Sequence, residues 1–262
     1  LAPSVTIALN LAIWGIGLRL PRGAHVITSV AEHNAVLRPL RHLQRLRDVR
    51  LTFIGLDAHG ALDADAFARA LTEHTALVAL IHGSNVTGHL YDVAPLFALA
   101  KAAGATTLLD ASQTAGHLPL SPDALSTDLL AFPGHKGLRG PIGVGVLCNA
   151  AKIDLEPLIV GGTGIMSELP YQPDMLPLRL EAGTPNVPAM AGLAAALRWG
   201  ETEGDACRQQ GKLVAADLRC GLRTIPAVNM IDDSPTTEYL PVVSFTIPGK
   251  HIAEIGLRLS EE

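Results

Sequence analysis

Apolar positions along the chain switch repeatedly between two periods. Over residues 6–16 they fall at 8, 9, 11, 12, 13 and 16, a dense helical spacing that predicts a buried helix. Pro21-Arg22-Gly23 reads as a turn, and residues 25–28 as a short strand. Glu32-His33-Asn34 opens an Arg-rich amphipathic pattern that predicts a helix to about residue 46. A strand is expected over 49–56 and a helix over 63–71, with Asp63 as its cap. Residues 76–81 are almost continuously apolar, as befits a strand covered on both faces. Next come a helix over 91–103 and strands over 105–109, 128–132 and 142–147. A mobile loop is expected from Gly161-Gly162-Thr163-Gly164 through residue 177. Helices over 188–203 and 205–222, a strand over 239–247 and a helix over 251–262 complete the pattern. Strands alternating with helices predict an α/β fold, with a mostly parallel sheet between two helical layers. The chain has no internal repeat and no low-complexity segment.

Composition narrows this picture little. At 262 residues and 48% hydrophobic, the chain can bury a substantial core, enough for one large domain and part of another. A net charge of −5 with scattered acids and bases offers no basic stripe, which argues against nucleic acid as a partner. Cys148, Cys207 and Cys220 are an odd number without metal-ligand spacing, as expected in a reducing, cytoplasmic setting. The apolar start at 5–18 contains Asn10 and lacks a basic flank and a small-residue cleavage site, so it does not read as a signal peptide. No stretch approaches the roughly 20 apolar residues a membrane helix requires, so no membrane partner is expected.

The candidate chemistry centres on 131–145, Ala-Phe-Pro-Gly-His-Lys-Gly-Leu-Arg-Gly-Pro-Ile-Gly-Val-Gly. One amine, Lys136, stands there among glycines that let backbone approach a bulky ligand. Partial loss of water makes such an amine a nucleophile. Taken alone, Lys136 reads more readily as a surface lysine in a Gly-rich turn. Asp110 ends the apolar run 105–109 and is followed by Ser112 and Gln113, at the strand edge where open α/β sheets place ligands. By itself it also reads as a turn aspartate, His33 as a helix cap or surface residue, and Thr6 as a cap of the first helix.

Five motifs in order remove much of that ambiguity: Glu-His-Asn at 32–34, His-Gly-Ser-Asn-Val-Thr-Gly at 82–88, Asp-Ala-Ser-Gln at 110–113, Gly-His-Lys at 134–136 and Glu-Ala-Gly-Thr-Pro-Asn at 181–186. Together they resemble the class V aminotransferase-type enzymes dependent on pyridoxal 5′-phosphate, within them the cysteine desulfurase and selenocysteine lyase group. The resemblance implies an aspartate-aminotransferase-like fold. It implies that Lys136 forms the Schiff base and later moves the substrate's α-proton, and that His33 stacks on the cofactor ring. Asp110 would pair with the ring nitrogen, Ser112 would pack on the opposite ring face, and Asn85 and Gln113 would face the phenolic oxygen. Thr6, His135 and Thr184 would hold the phosphate, Thr184 from the neighbouring subunit of a homodimer. Ser4, Ile7 and Pro133 depart from the family's pattern in the phosphate region.

The reaction so implied converts L-cysteine to alanine and passes sulfur through a persulfide, with a sulfur-acceptor protein as a further partner. The alternatives are another class V reaction, such as selenocysteine lysis or transamination, or a truncated homologue without activity. By the same resemblance, residues 1–195 form a large cofactor-binding domain lacking an N-terminal segment. Residues 196–262 form a linker helix and the start of a truncated small domain. The sulfur-accepting Cys and the substrate-carboxylate Arg would follow Glu262, and none of the three cysteines here takes that role.

Overall fold

In a computed structural model of the chain, which describes residues 1–231 and 238–261, six strands form one sheet in the order β2-β1-β3-β4-β5-β6. The strands are β1 (His25–Ser29), β2 (Arg50–Ile54), β3 (Thr75–Ile81), β4 (Thr106–Asp110), β5 (Leu129–Pro133) and β6 (Gly145–Asn149). All neighbours pair in parallel except β5 and β6, which form an antiparallel hairpin. The sheet is therefore mostly parallel, as the run of strand–helix repeats predicts.

Side chains on the strands alternate between two cores, which is why the central runs are apolar throughout. Val26, Leu77, Ala79, Leu108, Leu129 and Ala131 face one way, onto α1 (Val5–Gly17) and α2 (Asn34–Arg47) through Leu9, Ile13, Leu40 and Leu43. Ile27, Val78, Leu80, Leu109 and Leu130 face the other way, onto α3 (Ala64–Ala70) and α4 (Ala94–Ala102) through Phe67, Leu96 and Phe97. Asp63 caps α3 as expected, its carboxylate accepting from the Ala66 N–H at 2.8 Å.

Several expected elements differ in extent, among them the strand expected over 142–147, which is β6 at Gly145–Asn149. The helix expected from residue 91 starts at Ala94; ahead of it the Tyr91 N–H donates to the His82 carbonyl at 2.9 Å. The two helices expected at 188–203 and 205–222 are one helix, α5 (Val187–Arg223), of 37 residues. Gly204 does not interrupt it, since a single helical glycine costs only about 1 kcal/mol and no proline follows. A domain division at 195 falls inside this helix. The strand expected over 239–247 is reduced to β8 (Phe245–Thr246), paired with β7 (Asn229–Met230). Pro241, which has no N–H to give a ladder, separates β8 from Tyr239, which instead bridges to His89. The last helix, α6, covers Ile252–Glu261, and the expected terminal residue Glu262 lies outside the described residues.

The order 2-1-3-4-5 reverses direction between β1 and β3, and in open α/β sheets ligands collect outside the strands' C-terminal ends at that point. Among the described residues, no helix is long and apolar enough to cross a membrane.

Candidate functional site

Four parallel strands deliver the candidate residues to one edge of the sheet. Glu32 and His33 follow β1, residues 82–85 follow β3, Asp110 ends β4, and His135 and Lys136 follow β5. Adjacent ends are tied together: Ile81 pairs with Asp110, Asp110 with Ala131, and the His82 N–H donates to the Asp110 carbonyl at 3.0 Å. His33, Asn85, His135, Lys136 and Thr6 are exposed and Gln113 is half-buried, whereas Asp110 and Ser112 are buried beneath them.

Asp110 is 1% exposed, and its two oxygens differ. Oδ1 accepts from the Ser112 N–H at 2.9 Å and from the Ser112 hydroxyl. Oδ2 is buried and has no hydrogen-bond partner among the described residues. Burial pushes the Asp110 carboxyl above the usual aspartate range, while the Ser112 hydrogen bonds and the charges of Lys136 and His33 pull it back. That Ser112 clamps Asp110 as well as lying beside it was not legible from the sequence. A Ser two residues after an Asp at a strand end is the signal that could have suggested it.

His33 is both of the things its position allows. It is the N-cap of α2, with Nδ1 accepting from the Ala35 N–H at 3.1 Å. With Nδ1 used as an acceptor, a neutral ring carries its proton on Nε2. The helix cap thus orients the imidazole as well as starting the helix. Thr6 is not the cap of α1; Ser4 is, accepting from the Ile7 N–H at 3.3 Å. Thr6 and His33 line a common cavity of about 390 Å³ with Asn10, Trp14 and Arg38. The start of α1 is pinned to the sheet by paired Ala2 and Gly145 hydrogen bonds of 2.7 and 2.8 Å, and Gly145 is the register partner of Pro133. A side chain at 145 would lie 2.2 Å from the Ser4 carbonyl carbon, so glycine is required for this approach.

Asn85 sits on a braced turn. The Ser84 hydroxyl accepts from the Val86 and Thr87 N–H groups at 3.1 and 3.0 Å, and the Leu240 N–H donates to the Gly88 carbonyl at 2.7 Å. His82, below it, is pushed down to about 4 by burial and is paired with the Thr114 hydroxyl at 3.0 Å, so it is neutral.

Lys136 lies in the β5–β6 connection, closed by hydrogen bonds from Gly140 N to Gly134 O at 2.8 Å and from Gly134 N to Val144 O at 2.9 Å. This loop rests directly on the loop that follows Asp110. A Cβ on Gly116 (φ +85°) would lie 2.2 Å from the Gly137 carbonyl carbon, and one on Gly137 2.4 Å from the Ala115 carbonyl oxygen. Backbone meets backbone there, which brings the loop of Lys136 onto the loop after Asp110, near enough for the Lys136 charge to act on that carboxyl. Thr184 is apart from these residues in the single chain. It is exposed and lines a second cavity, of about 410 Å³, with Leu1, Ile7, Gly143 and Met190.

The residues fit a flat, anionic, nitrogen-containing cofactor. An orphaned buried carboxylate oxygen suits a protonated ring nitrogen, an exposed imidazole suits a ring face, and the N-terminus of α1 suits a phosphate. With Asp110→Asn, cofactor affinity measured by fluorescence titration is expected to fall at least about tenfold while the fold persists, because the amide cannot supply the charge.

Comparison with known proteins gives relatives in both sequence and fold. The family model Aminotransferase class-V matches residues 3–262. A probable cysteine desulfurase of Pyrococcus abyssi is 34% identical over 259 residues, covering 97% of this chain and 64% of that protein. Probable cysteine desulfurase 2 of Mycobacterium leprae is 36% identical over 248 residues, covering 92% and 58%. The apo structure of the cysteine desulfurase from Thermococcus onnurineus superposes with a TM-score of 0.88 at 33% identity, covering 99% of this chain and 66% of that one. The chain thus spans about three-fifths of the length of the curated relatives it matches.

Proposed function

The chain belongs to the class-V aminotransferase family, whose members depend on pyridoxal phosphate, and on that premise we propose that it acts as a cysteine desulfurase. The observation that carries the reading is the orphaned Oδ2 of buried Asp110, on which the charges of Lys136 and His33 both act.

In this reading residues 1–195 are the cofactor-binding part, and residues 196–262 lead into a smaller domain. Asp110, clamped by Ser112, holds a proton on the cofactor's ring nitrogen. His33 covers one ring face and Ser112 the other, with Asn85 and Gln113 toward the phenolic oxygen. Thr6 and His135 take the phosphate. Thr184 takes a share in the site of a second copy, which makes the working unit a homodimer. Bound there, pyridoxal phosphate supplies the electron sink that stabilises a carbanion on the amino acid. Lys136 Nζ is the covalent attachment point and the base that removes and returns the proton at the substrate's Cα. Net, the Cβ–S bond of L-cysteine breaks and sulfur passes to an acceptor thiol, R–SH, as R–SSH. Alanine leaves with the proton on its Cβ. None of Cys148, Cys207 and Cys220 is assigned as the acceptor, which is either a thiol elsewhere on the enzyme or one on a sulfur-acceptor protein.

The test is to add pyridoxal phosphate to the purified protein, record the visible spectrum, and then supply L-cysteine with dithiothreitol and quantify alanine and sulfide. A protein-bound chromophore with alanine and sulfide in equal amounts is the expected result. A chromophore without alanine would sink cysteine desulfuration and leave another class V reaction, while no chromophore would remove the cofactor reading as well.

A further inference from the structure

Among the described residues, Asp110 is one of two carboxyl groups buried at this edge of the sheet, and the other, Glu32, has no role in the reading above. Glu32 is 6% exposed and lies between β1 and α2. Its Oε1 accepts from the Ser29 hydroxyl at 2.6 Å and from the Ile81 N–H at 2.8 Å. Ile81 is the register partner of Asp110, so a carboxyl hung on the Ile81 N–H is held one strand away from the Asp110 side chain. Its second oxygen, Oε2, is buried and, like Asp110 Oδ2, has no partner among the described residues.

Two buried carboxylates this close do not both ionise, because each charge raises the cost of the other in a medium that screens poorly. Which one keeps the proton follows from their neighbours. Asp110 has the charges of Lys136 and His33 acting on it. The charge acting on Glu32 among the described residues is that of Asp110, and it is repulsive. His82, next along β3, is neutral and occupied by Thr114.

We propose that Glu32 is a positioning residue held in its neutral form, tying the ends of β1 and β3 together beside Asp110 and limiting the buried pair to one negative charge, which Asp110 presents to the cofactor. In agreement, burial pushes Glu32 up to about 8, and Asp110 adds to the rise against the Ser29 and Ile81 hydrogen bonds. A single charge matches a single ring cation. The inference builds on Asp110 as the partner of the ring nitrogen, but its main readouts use the cofactor-free protein, so the two can fail separately.

Glu32→Gln keeps the shape, the acceptor oxygen and the neutrality of a protonated Glu32, whereas Glu32→Ala removes all three. In the cofactor-free protein, the infrared difference between wild type and E32Q near neutral pH is expected to show the carbonyl stretch of one protonated carboxylic acid. The folded chain keeps a proton that the unfolded chain releases. Wild-type stability relative to E32Q is therefore expected to be greatest below about pH 4.5 and to decline as pH rises through about 8. Cofactor affinity of E32Q is expected to stay within about threefold of wild type, and that of E32A to fall about tenfold or more. Absence of the protonated-acid band, a relative stability that rises with pH, or an E32Q protein that cannot fold would each overturn the proposal. Failure of E32A to fold leaves the decision with E32Q.

Discussion

Lys136→Ala is expected to abolish covalent cofactor capture outright. Borohydride reduction followed by mass spectrometry should find the cofactor mass on a peptide containing residue 136 in the wild type and on no peptide of the variant. Turnover should fall by at least about a thousandfold, since one side chain is asked to supply both the attachment point and the proton transfer. Stability should barely change, because Lys136 is exposed and its removal opens no cavity in the core. This combination, an intact fold with no adduct, is what distinguishes a chemical role from a surface lysine in a Gly-rich turn. A trapped adduct surviving at another lysine would assign the chemistry elsewhere.

Gly137→Ala is expected to have the second-largest effect, although the residue carries no chemistry. Its added methyl would lie 2.4 Å from the Ala115 carbonyl oxygen and 2.7 Å from His117 Cδ2. The nearer clash is with backbone and cannot be relieved by a rotamer change, so the Lys136 loop must lift from the Asp110 loop. Overpacking of this kind costs about 1–3 kcal/mol, and a misplacement near 1 Å at a reacting group is worth about a hundredfold in rate. Thermal unfolding and the rate of borohydride-trappable adduct formation are the measurements. Gly116→Ala should behave alike, since it meets Gly137 from the other side and also needs φ +85°. Gly221→Ala, in α5 with open space around it, serves as the control and should be neutral or slightly stabilising. Equal behaviour of Gly137→Ala and Gly221→Ala would show that the two loops do not need their close contact.

Much of this molecule is legible in its sequence. The strand at 76–81 was plain because a strand covered on both faces has no polar alternation, and β3 feeds both cores through alternate residues. Helix starts were legible where a short polar side chain precedes an apolar period, as Asp63 does. Other signals were read correctly in kind but not in extent. Gly204 suggests a break only if local propensity decides, and α5 runs on through it as it does through its other glycines, each at a cost of about 1 kcal/mol. Residues 239–247 have strand-like composition, yet Pro241 and the bridge from Tyr239 to His89 divide them.

The candidate site divides in the same way. Residue types that do chemistry at strand ends announce themselves, and so Asp110, Lys136 and His33 stood out with the motifs around them. Their mutual arrangement did not. That Ser112 clamps one oxygen of Asp110 and leaves the other bare depends on a side-chain rotamer, and that Ser4 rather than Thr6 caps α1 depends on a shift of two residues in where the helix starts. The meeting of Gly116 with Gly137, and of Glu32 with the strand that carries Asp110 beside it, brings together residues far apart in the chain. Local sequence determines periodicity, caps and the chemistry available, because these act over one or two turns of chain. Which backbone touches which, and which of two buried acids keeps its proton, are set by contacts between distant segments in a medium where charge is poorly screened, and only the folded chain decides them.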